Sequence, residues 1–366
     1  MAGDAVAGVS LPAVTTRPAS PSAAHPRTGS RARRVGHALL GPYRLLVAHP
    51  IKVPLFVGYL VAIGLSVKDV GVIYDRERLL PLLAIGMLIL VAGKGWRRIV
   101  ELILCWIPFL FLWVAYDLVR GLVDNNRYVH TTEPITFDKF IAFGHLPNTL
   151  LQDRFYVAQH IQWWEVITGL TYMSHFFVVY ITAAVLFVMG RQIFARWMTA
   201  LVLLTVLGVL GYWLYPMAPP WMAANNLHLI PELSRPGTRG LSLLHLSWAS
   251  RLWNHGANNS EMVNPVAAMP SLHAAYTMLF AWFFGKRTKH LWAKLLLALY
   301  PLLMTFTLVF GGEHYLLDIF VGWILAIIAV EVADRVVDWW IARSRARSVA
   351  AREPEAAVDT RDPVPA

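Results

Sequence analysis

Two short stretches hold the residues best suited to chemistry. They are Met269-Pro270-Ser271-Leu272-His273 and Gly312-Glu313-His314-Tyr315-Leu316-Leu317-Asp318. His314 and Asp318 are four residues apart, so on a helix they share a face, one turn from each other. The carboxylate of Asp318 can then accept the N–H of one imidazole nitrogen of His314. The other nitrogen keeps a free lone pair, aimed and made more basic. That is the form an imidazole needs for acid–base or covalent work. Other readings use the same residues. Two interfacial histidines and a helix-capping aspartate need no chemistry at all. Two His and one Asp could bind zinc, but no fourth ligand is obvious. Ser271 as a hydrolytic nucleophile lacks a G-x-S-x-G elbow.

The elements that must position these residues are apolar. Of 366 residues, 57% are hydrophobic and only 15% charged, and the mean hydropathy is +0.51. A soluble domain carries about 25% charged residues, so this supply cannot build a solvated surface. Eight apolar segments are predicted: 51–67, 79–92, 99–119, 171–190, 198–215, 268–285, 295–311 and 314–336. A span needs about 20 helical residues to cross about 30 Å of hydrocarbon. The first two are short and fit a tilted or re-entrant hairpin. The fold class is therefore all-α: a polytopic membrane helix bundle, with a six-helix core over 99–336 and an N-terminal hairpin within 37–98. Residues 1–36 are Ala, Pro, Ser, Thr and Arg, too poor in large apolar side chains to order themselves. They contain no apolar run of the signal-peptide kind. Residues 337–366 read as a basic, polar tail. The single Cys, Cys105, lies inside an apolar run, so no disulfide framework or thiolate metal site is expected.

Charge orients the bundle. With the N-terminus inside, 22 of the 32 Lys and Arg fall on the inner side, including Lys94, Arg97, Arg98, Arg191, Arg196, Lys286, Arg287, Lys289 and Lys294. That asymmetry follows the positive-inside rule. It predicts both termini in the cytoplasm, a plasma-membrane location, and the two chemical stretches at the extracytoplasmic face. The net charge of +10 is then a topology signal. A nucleic-acid partner would need a basic face on a folded polar domain, and none is visible. The loops 120–170 and 216–267 both lie outside and are too long for simple connectors. The second opens with Tyr215-Pro216-Met217-Ala218-Pro219-Pro220-Trp221, where three prolines end a helix and stiffen the chain.

The order P-S-x-H, then H-Y-x-x-D followed by a Gly, each opening a membrane helix, resembles the type 2 phosphatidic acid phosphatase superfamily. A-A-M-P-S-L-H-A (267–274) and G-E-H-Y-L-L-D-I-F-V-G (312–322) resemble its inositol phosphorylceramide synthase-like branch. So do Y-P-M-A-P-P-W (215–221) and Tyr116-Asp117 with Arg120. The resemblance implies that His314 attacks phosphorus and becomes a phosphohistidine. It implies that Asp318 orients His314, and that His273 protonates the leaving oxygen and then activates the acceptor. It implies no metal and no cofactor.

This sequence departs from the superfamily in two places. The first motif, K-x-x-x-x-x-x-R-P, has no copy: Arg235-Pro236 ends like one, but His228 stands at the Lys position. Before His314, Thr307 and Leu308 stand where the superfamily has S-R. A substitute phosphate clamp is sought among Arg120, Arg127, Arg239 and Arg251, all on the predicted outer side, with Arg120 beside Asp117 at the end of a membrane segment. Asp117 and Arg120 could equally be a structural ion pair. Ser271 and His175 complete the candidate substrate-binding residues. His175 could face the site or anchor to headgroups.

The expectation is thus a membrane lipid phosphotransferase, moving a phosphoryl or phospho-head-group such as inositol phosphate. Its substrate is a phospholipid or polyprenyl phosphate in the bilayer. A lipid or polyprenyl phosphate phosphatase is the alternative, with water as acceptor. A non-enzymatic lipid transporter or scaffold is a third reading, and it would tolerate loss of His273, His314 and Asp318. Protein partners are not indicated.

Overall fold

The computed structural model describes residues 51–70, 76–93, 95–107, 128–244 and 266–358. The 1–36 leader, Asp117, Arg120, Arg127, Arg251 and residues 359–366 lie outside the described residues. Those described are helical and carry no strand beyond two isolated bridges, His130 to Met217 and Met217 to Ala267. The chain is an all-α membrane bundle. Among the described residues, four helices are long and apolar enough to cross a bilayer.

The elements in order are α1 (Lys52–Val70), α2 (Arg76–Val91), α3 (Thr132–Ile141), α4 (Pro147–Phe155), α5 (Glu165–Met189), α6 (Arg191–Leu214), α7 (Pro220–Asn225), a 3₁₀ turn (Arg239–Leu244), α8 (Leu272–Gly285), α9 (Leu291–Phe310) and α10 (Leu316–Val358). A helical run over 96–107 precedes α3. The short hairpin expected at the N-terminus is α1 and α2, pinned where Tyr59 Oη donates to the Leu82 carbonyl at 2.7 Å. The two long loops are not structureless: the first carries α3 and α4, the second α7 and the 3₁₀ turn.

Several segments differ from their expected bounds: α5 starts at Glu165 and α6 at Arg191, ahead of the expected 171 and 198. The sixth was expected from 268, yet α8 starts at Leu272, because Pro270 lies in a bend and Ser271, the N-cap, in extended backbone ahead of it. Its 14 residues rise only about 21 Å, less than a full span. The last was expected to end at 336, yet α10 continues to Val358. Its added stretch is rich in Ala, Arg and Glu, all good helix formers.

α8 is the central helix, packed on α9, α10, α6 and α5. The main core joins Trp197, Leu201 and Leu204 of α6 to Ala275, Leu279 and Phe283 of α8 and to Ala326, Ala329 and Val330 of α10. Trp197 is fully buried, and its indole N–H donates to the Val179 carbonyl. Glycines allow the closest approaches. Gly208 and Gly211 of α6 lie against Leu272 and Pro270, at the entry to α8. Gly322 of α10 lies against Ser271, where a Cβ would stand 2.5 Å from the Ser271 carbonyl oxygen.

Gly322→Ala must therefore push α10 away from the start of α8. A backbone oxygen cannot rotate aside as a side chain can. Overpacking of this kind costs about 1–3 kcal/mol. Thermal unfolding in detergent should show a clearly lowered midpoint. Gly58→Ala, where an added Cβ meets nothing within 4 Å, should leave the midpoint unchanged or slightly raised.

Candidate active site

The turn between α9 and α10 is sharp. Gly312 adopts φ +67°, a left-handed conformation that glycine accepts without strain. Glu313 and His314 follow, and α10 begins two residues later. His314 Nδ1 lies 2.7 Å from Asp318 Oδ2. An ionised carboxylate only accepts, so Nδ1 carries the hydrogen and Nε2 keeps its lone pair. Asp318 is fully buried and His314 is 6% exposed. The pair is thus held in a dry setting at the end of a membrane helix.

His314 Nε2 faces His273 Nδ1 at 3.4 Å. That is long for a hydrogen bond, so the rings oppose each other without being locked. His273 is set by the first turn of α8. Ser271 is its N-cap, with Oγ accepting the Ala274 N–H at 3.3 Å. The Ser271 N–H in turn donates to the Asp318 carbonyl at 3.0 Å. Ser271 is fully buried and ties the two motifs together from beneath.

A third histidine joins them. His175 of α5 places its ring 4.0 Å from that of His273, centroid to centroid. Its Nδ1 donates to the Tyr172 carbonyl at 2.7 Å, which fixes the tautomer. Tyr172 itself packs on His273 with centroids 5.0 Å apart. Of the two readings of His175, facing the site or anchoring to headgroups, the geometry is that of the first.

The arginines divide. Arg239 is bound bidentate by Glu165, through Nε to Oε2 and Nη2 to Oε1. It also donates to the Val157 carbonyl at 3.0 Å and lies over the Tyr156 ring. Its guanidinium, sought as a phosphate clamp, is instead spent on holding the 3₁₀ turn to the start of α5, because Glu165 is fully buried and must be paired. Gly240 makes that approach possible, lying directly against the Glu165 backbone. Arg235 is the guanidinium tied to the motif that carries His314. It makes two 3.0 Å bonds to Glu313, the residue before His314, and covers the Trp221 ring at 4.5 Å. Five N–H donors are available on a guanidinium, so donors remain beyond those two bonds. Its signal in the sequence was the partial R-P motif, preceded by Trp221 in the proline-rich stretch.

Three further residues were not legible from spacing. Asp138 of α3 accepts the Leu316 N–H at 2.9 Å and the Leu317 N–H at 3.2 Å. It caps α10 from a distant element. Asn148 of α4 donates to the Val309 and His314 carbonyls at 2.9 and 3.1 Å. Gln152, one turn on, donates to the Phe310 and Ser234 carbonyls and accepts the Ser234 N–H. Together they serve the open carbonyls at the end of α9. An Asn and a Gln four apart on a short helix were the available hint.

Among the described residues, no group of three His, Cys, Asp or Glu side chains is arranged to hold a metal ion. Comparison with known proteins agrees with the motifs. The family described as the PAP2 superfamily matches residues 145–332. The phosphoinositol dihydroceramide synthase of Bacteroides thetaiotaomicron is 26% identical over 259 residues, covering 68% of this chain and 80% of that protein. No solved structure matches significantly.

Asp138 gives the site a measurable pH dependence. Burial pushes its carboxyl up to about 7, against the two backbone N–H bonds, and the nearby Asp318 charge adds to the rise. An unfolded Asp titrates near 3.9. Between about 3.9 and about 7 the folded chain keeps a proton the unfolded chain has lost. This contribution to stability is therefore complete at low pH and is lost as pH rises towards about 7. Thermal unfolding from pH 4.5 to 8 should show that slope in the wild type and a flatter one in Asp138→Asn. Asp138→Ala leaves two helix N–H groups unpaired, at roughly 1–3 kcal/mol each, and should be the least stable of the three at every pH.

Proposed function

Because the chain belongs to the PAP2 superfamily, and is a membrane enzyme of the phosphatase or phosphotransferase type, we propose that it transfers a phospho-head-group between lipids through a phosphohistidine on His314. The observation that carries this reading is the one imidazole with its Nδ1–H held by a buried carboxylate and its Nε2 directed at a second imidazole. The named activity of the Bacteroides relative favours phosphoinositol as the group and a ceramide-type hydroxyl as the acceptor.

The steps balance as follows. His314 Nε2 forms a bond to phosphorus as the bond from phosphorus to the donor lipid oxygen breaks. That oxygen takes a proton from His273. The acceptor hydroxyl then gives its proton to His273 as its oxygen attacks phosphorus, and the P–N bond breaks. Asp318 holds the tautomer and offsets the positive charge that His314 gains. Arg235 supplies donors for the equatorial oxygens, with Glu313 and Trp221 fixing its plane. His175 and Tyr172 hold the His273 ring in place. Transfer is favoured over hydrolysis because His314 and Asp318 are almost sealed from solvent, which suits an acceptor delivered from the bilayer. The site opens to the extracytoplasmic side, as the charge asymmetry argues, and a plasma-membrane location follows from the same reading.

Purified protein offered phosphatidylinositol with ceramide should yield phosphoinositol ceramide and diacylglycerol by mass spectrometry. Inositol phosphate and diacylglycerol without phosphoinositol ceramide would replace transfer by hydrolysis. Rapid quench with labelled donor separates the roles. His314→Ala should form no phosphoenzyme. Asp318→Asn should remain folded and lose rate by about 10⁴-fold, the scale known for such a change beside a catalytic imidazole. His273→Ala should be severe with a lipid donor, whose alkoxide leaves poorly, and milder with an aryl phosphodiester. Equal losses in the two His variants on the aryl compound would refute the assignment.

Sidedness has its own test. Gln159→Cys and Glu232→Cys, each exposed and each made in a Cys105→Ala background, should react with an impermeant thiol reagent on intact cells. Reaction only after lysis would reverse the orientation.

A further inference from the structure

At the end of the bundle away from the histidines, α8, α9 and α10 enclose a half-open groove of about 520 Å³. That volume is within the range of small-molecule clefts, about 300–1,000 Å³. α8 packs closely on both neighbours, whereas α9 and α10 touch each other little. Small residues hollow the space between them: Ala281 and Gly285 on α8, and Ala298 and Pro301 on α9. The indoles of Trp282 and Trp323 form its walls. The lining is apolar except at one end, where Lys286 and Lys294 stand.

The two lysines are not equivalent. Lys286 is already paired with Glu331 at 2.7 Å and Asp334 at 2.9 Å. That cluster also holds Arg287 and Arg196 and ties α6, α8 and α10 together. Lys294 is exposed and has no carboxylate partner among the described residues. It lies in the first turn of α9, whose N-cap position, His290, makes no side-chain capping bond. Open N–H groups and the positive end of the helix dipole therefore stand beside its ammonium. An apolar trough ending in a spare cation and an uncapped helix start complements one kind of molecule.

We propose that this groove binds an anionic phospholipid, with an acyl chain between α9 and α10 and its phosphate on Lys294 and the first turn of α9. The site is separate from the catalytic one and on the opposite membrane face. A zwitterionic lipid offers the same chain but brings its own cation to Lys294, so it binds less well. Trp323, at the inner end of the groove, packs on the layer of Tyr172 and Ala274, the first of which touches His273. A chain in the groove thus supports the floor of the active site.

The test needs no turnover, so its outcome is independent of the reaction assigned above. The full chain is reconstituted in nanodiscs of equal phosphatidylglycerol and phosphatidylcholine, released into detergent, and examined by native mass spectrometry. The expected result is one retained phosphatidylglycerol per chain. Ala298→Phe, which fills the groove, should abolish retention. Lys294→Glu, an exposed change that leaves the packing alone, should weaken it about tenfold or more. Lys289→Glu, a nearby lysine outside the groove, should retain the lipid like the wild type. His314→Ala should also retain it. Retention of phosphatidylcholine equal to phosphatidylglycerol, unchanged retention in Ala298→Phe and Lys294→Glu, or loss in His314→Ala would overturn the proposal.

Discussion

A helix hairpin at a membrane face has a hydrogen-bond problem, and the turn from α9 to α10 depends on its solution. The last carbonyls of α9 and the first N–H groups of α10 have no partners within their helices. Water is scarce there, and an unpaired backbone group in a dry setting costs on the order of several kcal/mol. Here the protein supplies every partner named above from the loop that carries α3 and α4. Asn148 and Gln152 take up carbonyls at the end of α9. Asp138 takes up N–H groups at the start of α10. His314 sits between those two sets of bonds. Its position is therefore fixed by α3 and α4 as much as by the helix it precedes.

The second constraint is closeness. The proposed roles need His273 and His314 on facing rings, and those rings belong to different helices. Ser271 bridges them through its N–H to the Asp318 carbonyl, and this is possible only because position 322 has no side chain. The glycine after the H-Y-x-x-D pattern thus has a mechanical meaning. It sets the separation of α8 and α10, and with it the 3.4 Å gap between the two imidazoles. Gly208 and Gly211 do the same on the other flank of α8, where α6 meets Leu272 and Pro270.

The legible part of this protein was the part whose partners are close in sequence. His314 and Asp318 are four residues apart, and although α10 begins only at Leu316, its first turn still brings the two side chains within 2.7 Å. Composition and charge were enough for the membrane bundle, because those signals are sums over many residues. Asp138 could not be read in this way. It meets Leu316 across 178 positions, and an Asp in a loop helix reads as solvated. The same holds for Asn148 and Gln152. Helix bounds slipped where local chemistry outweighed hydropathy, as at Pro270-Ser271 before α8, and where good helix formers carried α10 beyond its apolar stretch.

The two arginines show why residue type alone could not choose the phosphate clamp. Both pair with a glutamate through two nitrogens, and both lie over an aromatic ring. They differ in what the glutamate needs. Glu165 has no exposure, so Arg239 is the counter-charge that lets it stay buried, and removing either partner strands the other at roughly 3–5 kcal/mol. Glu313 retains some exposure beside His314, and the Arg235 fork reaches it from the edge of the site. In the proposed mechanism, a phosphodiester arriving there would meet a guanidinium already oriented, with donors to spare. It would also meet a carboxylate whose charge that guanidinium has largely cancelled. On that reading, Glu313 without Arg235 would repel the substrate from the imidazole next to it, and with Arg235 the same carboxylate would be the brace that aims the cation. The pair is therefore best understood as one unit, in which the acid makes the arginine specific for a position rather than merely available.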